Sequence, residues 1–489
     1  MIRFYAFSVV FTVLSLSAFA QEAEISPLKI TKQFPAQHIA HDRPNPIYID
    51  VENTGLEIIR SASVSFVVAN EKHVKQFEKT FTDLELGKGE QTRLRFDKKV
   101  NVNQSESESD VFVILKQVNG KPLNINEFGE PAGLILSENT ARTSSSVDMT
   151  VFAEKFTSST CGPCANWNIN LYTPLLAQMD FNVPGSGRTI AKNQVPIPTA
   201  GDPSVNSFSN GRRGVYNVNS APSMYVQGTR VNYAGVPNLA AAGDIFEDAV
   251  DDAASEPSFV TIDIDNFTAT PVGNNDIEIS VDGQIEALSN FGGQNVRLFI
   301  FVLNKDYVYS GALNGDQNYK HVTRTILPNA TGERVLNFNT GTVQTFSETV
   351  TLTNSNGVVP ANSTNLWNDR IEIVVVVQNR SGNDILQAAY ANEFLSQDEF
   401  ASMESAFTLY PNPSSDEGVL SFEMSASGSA RVDVISTDGR TVYSHEINAS
   451  QGEVQNIVLP TQHLQNGMYV VRLHQNNTIA TKKWMVHKQ

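Results

Sequence analysis

The sequence predicts a multidomain, mainly β protein in which one α/β unit lies between β-sandwiches. Three observations carry this expectation. The length, 489 residues, asks for several cores at about 100–200 residues per domain. Most of the chain consists of short runs of alternating apolar and polar residues broken by turn clusters. One stretch, 148–257, alternates strand and helix patterns instead. Hydrophobic residues make up 40% and charged residues 18%, which is enough apolar material to fold. Asp plus Glu number 52 against 35 Lys plus Arg, a net charge of −17 that repels a polyanion and excludes nucleic-acid binding by the whole chain.

Residues 1–20 hold one cation (Arg3), an apolar stretch from Phe4 to Leu16 and the small-x-small triplet Ala18-Phe19-Ala20 before Gln21. That is the layout of a cleavable secretory signal, and no cysteine near Ala20 offers a site for lipid attachment. No later run reaches the roughly 20 apolar residues that span a bilayer; the most apolar, Ile371–Val377, is strand-length. The mature chain is therefore expected to be exported, with no transmembrane span. Residues 22–147 show strand patterns at Ile47–Val51, Ala62–Val68, Arg93–Phe96 and Asp110–Leu115, which suggests an antiparallel sandwich of the immunoglobulin-like kind. His38 and His41 are joined by no carboxylate cluster or cysteine and read as scattered surface histidines.

Within 148–257, a strand (Met149–Phe156) leads into Cys161-Gly162-Pro163-Cys164, and Trp167, Leu171, Leu175, Leu176 and Met179 then recur at helical spacing. Strands at Arg188–Gln194 and Ser223–Val226 and an acidic-faced helix at Asn238–Ala253 complete the unit. Two cysteines cannot build a disulfide framework, nor a zinc site without histidines close by. A helix that starts inside the motif puts the first sulfur at its N-terminus, where unpaired N–H groups stabilise a thiolate. Pro163 suits the first turn, and Ser158 and Ser159 read as capping residues. Cys161 would be the attacking nucleophile and Cys164, one turn on, the resolving thiol. Glu154, on the incoming strand, could take the proton from Cys164 as a buried carboxylate. Pro222 precedes a short strand, and a cis Ala221–Pro222 bond would present backbone groups beside the sulfurs. The competing reading is a static disulfide, although so short a loop contributes only about 2 kcal/mol.

Residues 258–400 return to β patterns, at Phe259–Ile264, Asp276–Val281, Val296–Val302, Ser347–Leu352 and Ile371–Gln378, and suggest a second sandwich. Asp316, Asp369 and Asn383 fall in its loops without a calcium-loop pattern, so neither a metal nor a cofactor is expected. Gln397–Glu404 is a polar link. Residues 405–489 form a further string of strands, clearest at Val419–Met424, Ala430–Ser436, Thr441–Ile447 and Met468–Leu473, with Asp438-Gly439 as a hairpin turn.

Two resemblances follow from these residues. Tyr410-Pro411-Asn412-Pro413, Asp438-Gly439-Arg440, Asn466-Gly467-Met468-Tyr469-Val470-Val471-Arg472-Leu473 and the closing Lys482-Lys483-Trp484-Met485-Val486 resemble, in order, the type A C-terminal sorting domain of the Bacteroidota type IX secretion system. This implies a secreted or outer-membrane surface protein that engages the type IX machinery. Cys161-Gly162-Pro163-Cys164 with Ala221-Pro222 resembles the thioredoxin fold. Ala153–Thr157, Gly201-Asp202-Pro203, Tyr216–Pro222 and Asn318–Pro328 look like a Bacteroidota outer-membrane protein family with a thioredoxin-like domain, over about Asp148–Leu395. Thr160 stands where thioredoxins usually have Trp, and Glu154 lies seven positions before Cys161. The implied function is thiol–disulfide exchange with an unknown protein thiol or disulfide partner. The alternative is a non-catalytic surface adhesin or interaction protein with an unknown surface ligand.

Overall fold

The computed structural model describes residues 26–123, 133–178, 189–197, 202, 204–233, 236–272, 276–309, 311–353, 371–392, 407–424, 428–436, 441–475 and 478–488. The leader-like segment 1–20, the link at 397–404, Asp369 and the Asp438-Gly439 turn lie outside them. The described chain is mainly β and multidomain, as expected.

In the N-terminal sandwich, a three-stranded sheet (Leu28–Phe34, Tyr48–Asn53, Gln91–Arg95) covers a larger one built around Ala62–Ala69, Glu108–Val118 and Leu134–Ser144. Ile49, Val51 and Leu94 meet Val64, Phe66, Val111 and Val113 in its core. His38 departs from the surface expectation. Its Nδ1 lies 2.8 Å from Ser289 Oγ and its ring packs against Phe259 and Phe291 of the second sandwich. Desolvation there, reinforced by Arg142, lowers its pKa to about 4.

The α/β unit begins with β1 (Thr150–Thr157), which pairs in parallel with β2 (Thr189–Pro196) and antiparallel with β3 (Ser223–Val226). A short β4 (Thr229–Arg230) closes the hairpin after β3. Between β1 and β2 the chain runs helically through α1 (Gly162–Trp167), a π turn at Asn168–Tyr172 and α2 (Thr173–Gln178). Helix α3 (Ser207–Val215) precedes β3, and α4 (Leu239–Ala254) ends the unit.

The sheet does not stop at residue 257. β2 pairs in parallel, at Gln194↔Val322, with a strand of the second sandwich, and the result is one nine-stranded sheet. That sandwich comprises β5 (Val260–Val272), β6 (Asp276–Ala287), β7 (Val296–Val308), β8 (Asn318–Leu327), β9 (Val343–Thr353), β10 (Ile371–Asn379) and β11 (Asp384–Asn392). One face of β7 and β10 packs Leu298, Ile300, Ile373 and Val375 against Ile277, Ile279 and Val281 of β6. The other packs Phe299, Phe301, Val374 and Val376 against Phe152 and Ala191 of the α/β unit. A strand buried on both faces has no polar side to show, which explains the unbroken apolar run in β10.

The C-terminal domain stacks a three-stranded sheet on a four-stranded one. Its core holds Phe422, Val432, Leu459, Val471 and the fully buried Trp484, whose Nε1 donates to Ser414 Oγ at 2.6 Å. Tyr410–Pro411 and Asn412–Pro413 are both cis.

Candidate functional site

β1 delivers the chain to the Ser158-Ser159-Thr160 turn, and the helical run starts at Gly162 with Pro163 in its first turn. The cap is Cys161 rather than either serine: its Sγ accepts from Cys164 N at 3.2 Å. Cys161 and Cys164 form a disulfide. Cys164 is fully buried and Cys161 partly exposed, so solvent reaches only the first cysteine. The Ala221–Pro222 bond is cis, and Ala221 O stands 3.8 Å from Cys161 Sγ. Cys161, Cys164 and the residue preceding Pro222 therefore meet at one point.

Several residues hold the turn in place that were not singled out for this in the sequence. Asp202 accepts from Ser159 N at 2.7 Å and also binds Ser204. Asn314, from the loop between β7 and β8, donates to Ser158 O (2.9 Å) and Cys161 O (3.2 Å). Asp316, which was considered as a calcium residue, accepts from Asn168 Nδ2 at 3.0 Å and from Asn318 N. The signal for this clamp was the Asx-rich run Asn314-Gly315-Asp316-Gln317-Asn318, since Asn and Asp side chains readily bond nearby backbone. Among the described residues no group of three or more His, Cys, Asp or Glu is arranged to hold a metal ion.

Glu154 is buried as expected, but on the side of the sheet that α3 covers. Arg212 of α3 grips it with Nε to Oε1 at 2.7 Å and Nη2 to Oε2 at 2.6 Å. Tyr216 OH donates to Oε2 (2.6 Å) and Asn193 Nδ2 to Oε1 (3.1 Å), so all its acceptor positions are engaged. Arg212 is wholly buried beside Phe299 and Phe301, and its pKa is raised by Glu154 despite the opposing effect of desolvation. The face of β1 turned toward the motif helix carries Val151 and Ala153, which pack with Leu171 and Tyr172. By the two-residue period of a strand, Lys155 belongs to that face, and its Nζ lies 5.9 Å from the Tyr172 ring centre. Burial pushes the Lys155 ammonium down to about 8, with Asp316 acting in opposition.

A family model described as a secretion system C-terminal sorting domain matches residues 408–487. The chain thus carries a type IX sorting domain and is a secreted or cell-surface protein. No helix among the described residues is long and apolar enough to cross a membrane. No curated protein matches the chain. Among solved structures, HBP35 of Porphyromonas gingivalis is 13% identical, over 70% of this chain and 99% of that one, with a TM-score of 0.38. A domain of the outer membrane lipoprotein Omp28 from the same organism is 14% identical, over 28% of this chain and 88% of that one, with a TM-score of 0.19. Neither overlap is close enough to transfer a fold or an activity.

Proposed function

We propose that this protein is an exported, thioredoxin-like surface protein that exchanges disulfides through Cys161 and Cys164. The observation that carries the reading is the asymmetry of the pair: a partly exposed Cys161 at a helix start, bonded to a buried Cys164. From the oxidised state, a partner thiolate attacks Cys161 Sγ, a mixed disulfide forms and Cys164 leaves as the thiolate. A second partner thiolate then attacks the partner's own sulfur and expels Cys161. The partner ends with a disulfide and the protein with a dithiol; the two partner protons pass to Cys161 and Cys164 or to water. The reverse sequence reduces a partner disulfide. Backbone around Ala221 and Pro222 would align the incoming chain, and Glu154 serves as a positioning residue that holds β1 to α3.

The test is the reduction potential of the pair, by equilibration against glutathione with thiol labelling. A value between about −120 and −270 mV supports exchange, as does a mixed disulfide trapped on Cys164→Ser. A value below about −300 mV indicates a structural disulfide. The second reading, a surface interaction protein, is favoured by the Asn314 clamp, which fixes the motif's backbone to the neighbouring sandwich. On that reading, a Cys161→Ser/Cys164→Ser variant retains function.

A further inference from the structure

One leucine stands in water beside the cysteine pair. Leu313, in the loop between β7 and β8, is 82% exposed. The residues on either side of it are tied down. Ala312 packs against the cluster of Tyr307, Tyr319 and Val322, and its amide donates to Tyr309 O at 3.3 Å. Asn314 N donates to Ser159 O at 3.1 Å, beside the bonds of its side chain to Ser158 O and Cys161 O. Asn314 Oδ1 accepts from Asp316 N at 3.0 Å, and Tyr319 OH donates to Asp316 O at 2.7 Å. The loop and the motif backbone thus form one frame, and Leu313 is the neighbour of a residue bonded directly to Cys161.

The rim around the pair carries no exposed charge on these two segments. Across 158–164 and 311–317 the only charged residue is Asp316, which is 4% exposed and bonded to Asn168. Gly311, Gly315, Gln317, Gly162 and Pro163 are exposed with Leu313, so the rim is polar and apolar by turns. Pro163 and Leu313 supply its apolar side chains. In a chain of net charge −17, an uncharged rim is a place where charge does not choose the partner. A leucine gains by being covered, and one held in a fixed frame gives up little further freedom when it is. A partner joined to Cys161 by a mixed disulfide is held within a few residues of Leu313.

We propose that Leu313 is a specificity residue that receives an apolar residue flanking the partner's cysteine. The inference rests on the exchange proposed above and names the partner class as protein segments with apolar residues next to their disulfide. The test uses the full chain, reduced with dithiothreitol and desalted, and follows its reaction with three disulfides. One is a peptide disulfide with leucines flanking the cysteine, the second has serines there, and the third is glutathione disulfide. The parent should react with the leucine peptide at least about fivefold faster than with the serine peptide, and Leu313→Ser should remove that advantage. Leu313→Met should keep it, and Leu56→Ser, which changes a leucine 85% exposed on the N-terminal sandwich, should alter none of the three rates. Glutathione disulfide should react alike with parent and Leu313→Ser. The proposal is overturned if Leu313→Ser keeps the leucine preference, if the parent shows none, or if Leu313→Ser slows all three disulfides equally. Each of those results leaves thiol exchange standing, whereas a parent that reacts with none of the three refutes exchange and this inference together.

Discussion

Replacing Arg212 with Met keeps most of the side-chain volume between Phe299, Phe301 and Tyr216 but strands the Glu154 carboxylate, which is 1% exposed. Glu154 loses two charge-assisted hydrogen bonds, each of about 1.5–3 kcal/mol, while those from Tyr216 and Asn193 remain, and Gln378 Oε1 and Tyr216 OH lose their Arg212 donor as well. The sum falls in the range for a broken buried pair, so Arg212→Met should destabilise by about 3–5 kcal/mol. Glu154→Gln should cost somewhat less, because an amide oxygen still accepts from Arg212. Arg212→Met/Glu154→Leu should be more stable than the sum of its parts, with a coupling of at least about 2 kcal/mol. The assay is urea unfolding followed by Trp167 fluorescence in a Trp367→Phe/Trp484→Phe background, so that the signal comes from the α/β unit. The same variants test the geometry of the site. Because the pair sits across the sheet from the motif helix, Glu154→Gln should move the Cys161–Cys164 potential by less than about 10 mV, which is under roughly 0.5 kcal/mol. A shift of about 30 mV or more with stability barely changed would refute this placement and restore Glu154 as a proton carrier for Cys164.

Lys155 is charged only at a cost, because the unfolded chain holds its proton up to about 10.5 and the folded one only to about 8. The folded state is therefore penalised below pH 8, and the penalty fades as pH rises to 10.5; Lys155→Met should stabilise by up to about 3 kcal/mol at pH 7 and by little at pH 10.5 in urea titrations. His38 behaves alike: its folded pKa is near 4 against 6.5 unfolded, so its contribution to stability is lost as pH falls from about 7 to 4. His38→Gln should reduce the loss between pH 7 and 4.5 by about 2–3 kcal/mol, read from denaturant midpoints at the two pH values. Gly228 has φ +79 in the hairpin between β3 and β4, and a Cβ there would meet Asn383 O at 1.8 Å. Gly228→Ala should cost about 2–4 kcal/mol and lower the melting temperature of the region shared by the α/β unit and the second sandwich.

Strands with one solvated face were legible because their alternation is printed in the residues; Asp276–Val281 in the second sandwich and Val419–Met424 in the tail fall on strands whose burial alternates. Helix Ser207–Val215 was not expected, since it contains two glycines and little apolar periodicity, and each interior glycine costs about 1 kcal/mol. It forms because Asn206 and Ser209 make a reciprocal cap and Arg212 is drawn into the core by Glu154. Gly211 is needed there, because a Cβ would come within 2.4 Å of Ala330 Cβ in the second sandwich. The cap is local, but Glu154 and Ala330 lie far away in the sequence, so no local pattern could have announced them.

The same limit governs the site. The Cys-x-x-Cys pair was legible because its spacing sets its geometry, and the proline opposite it because an X-Pro bond there precedes a short strand. Which neighbour on β1 faces them was not. Strand parity separates Glu154 from Lys155, but parity needs a known inside, and β1 has two: Val151 and Ala153 pack under the motif helix, while Phe152 and Phe156 pack under α3 and the second sandwich. With apolar residues on both faces the strand shows no alternation to orient it. The second face exists only because β7 and β10, more than a hundred residues downstream, extend the sheet and bring Phe299 and Phe301 over it. Thus a carboxylate chosen by chemistry alone became half of a structural ion pair. The lysine beside it was left on the side of the motif helix, against Tyr172.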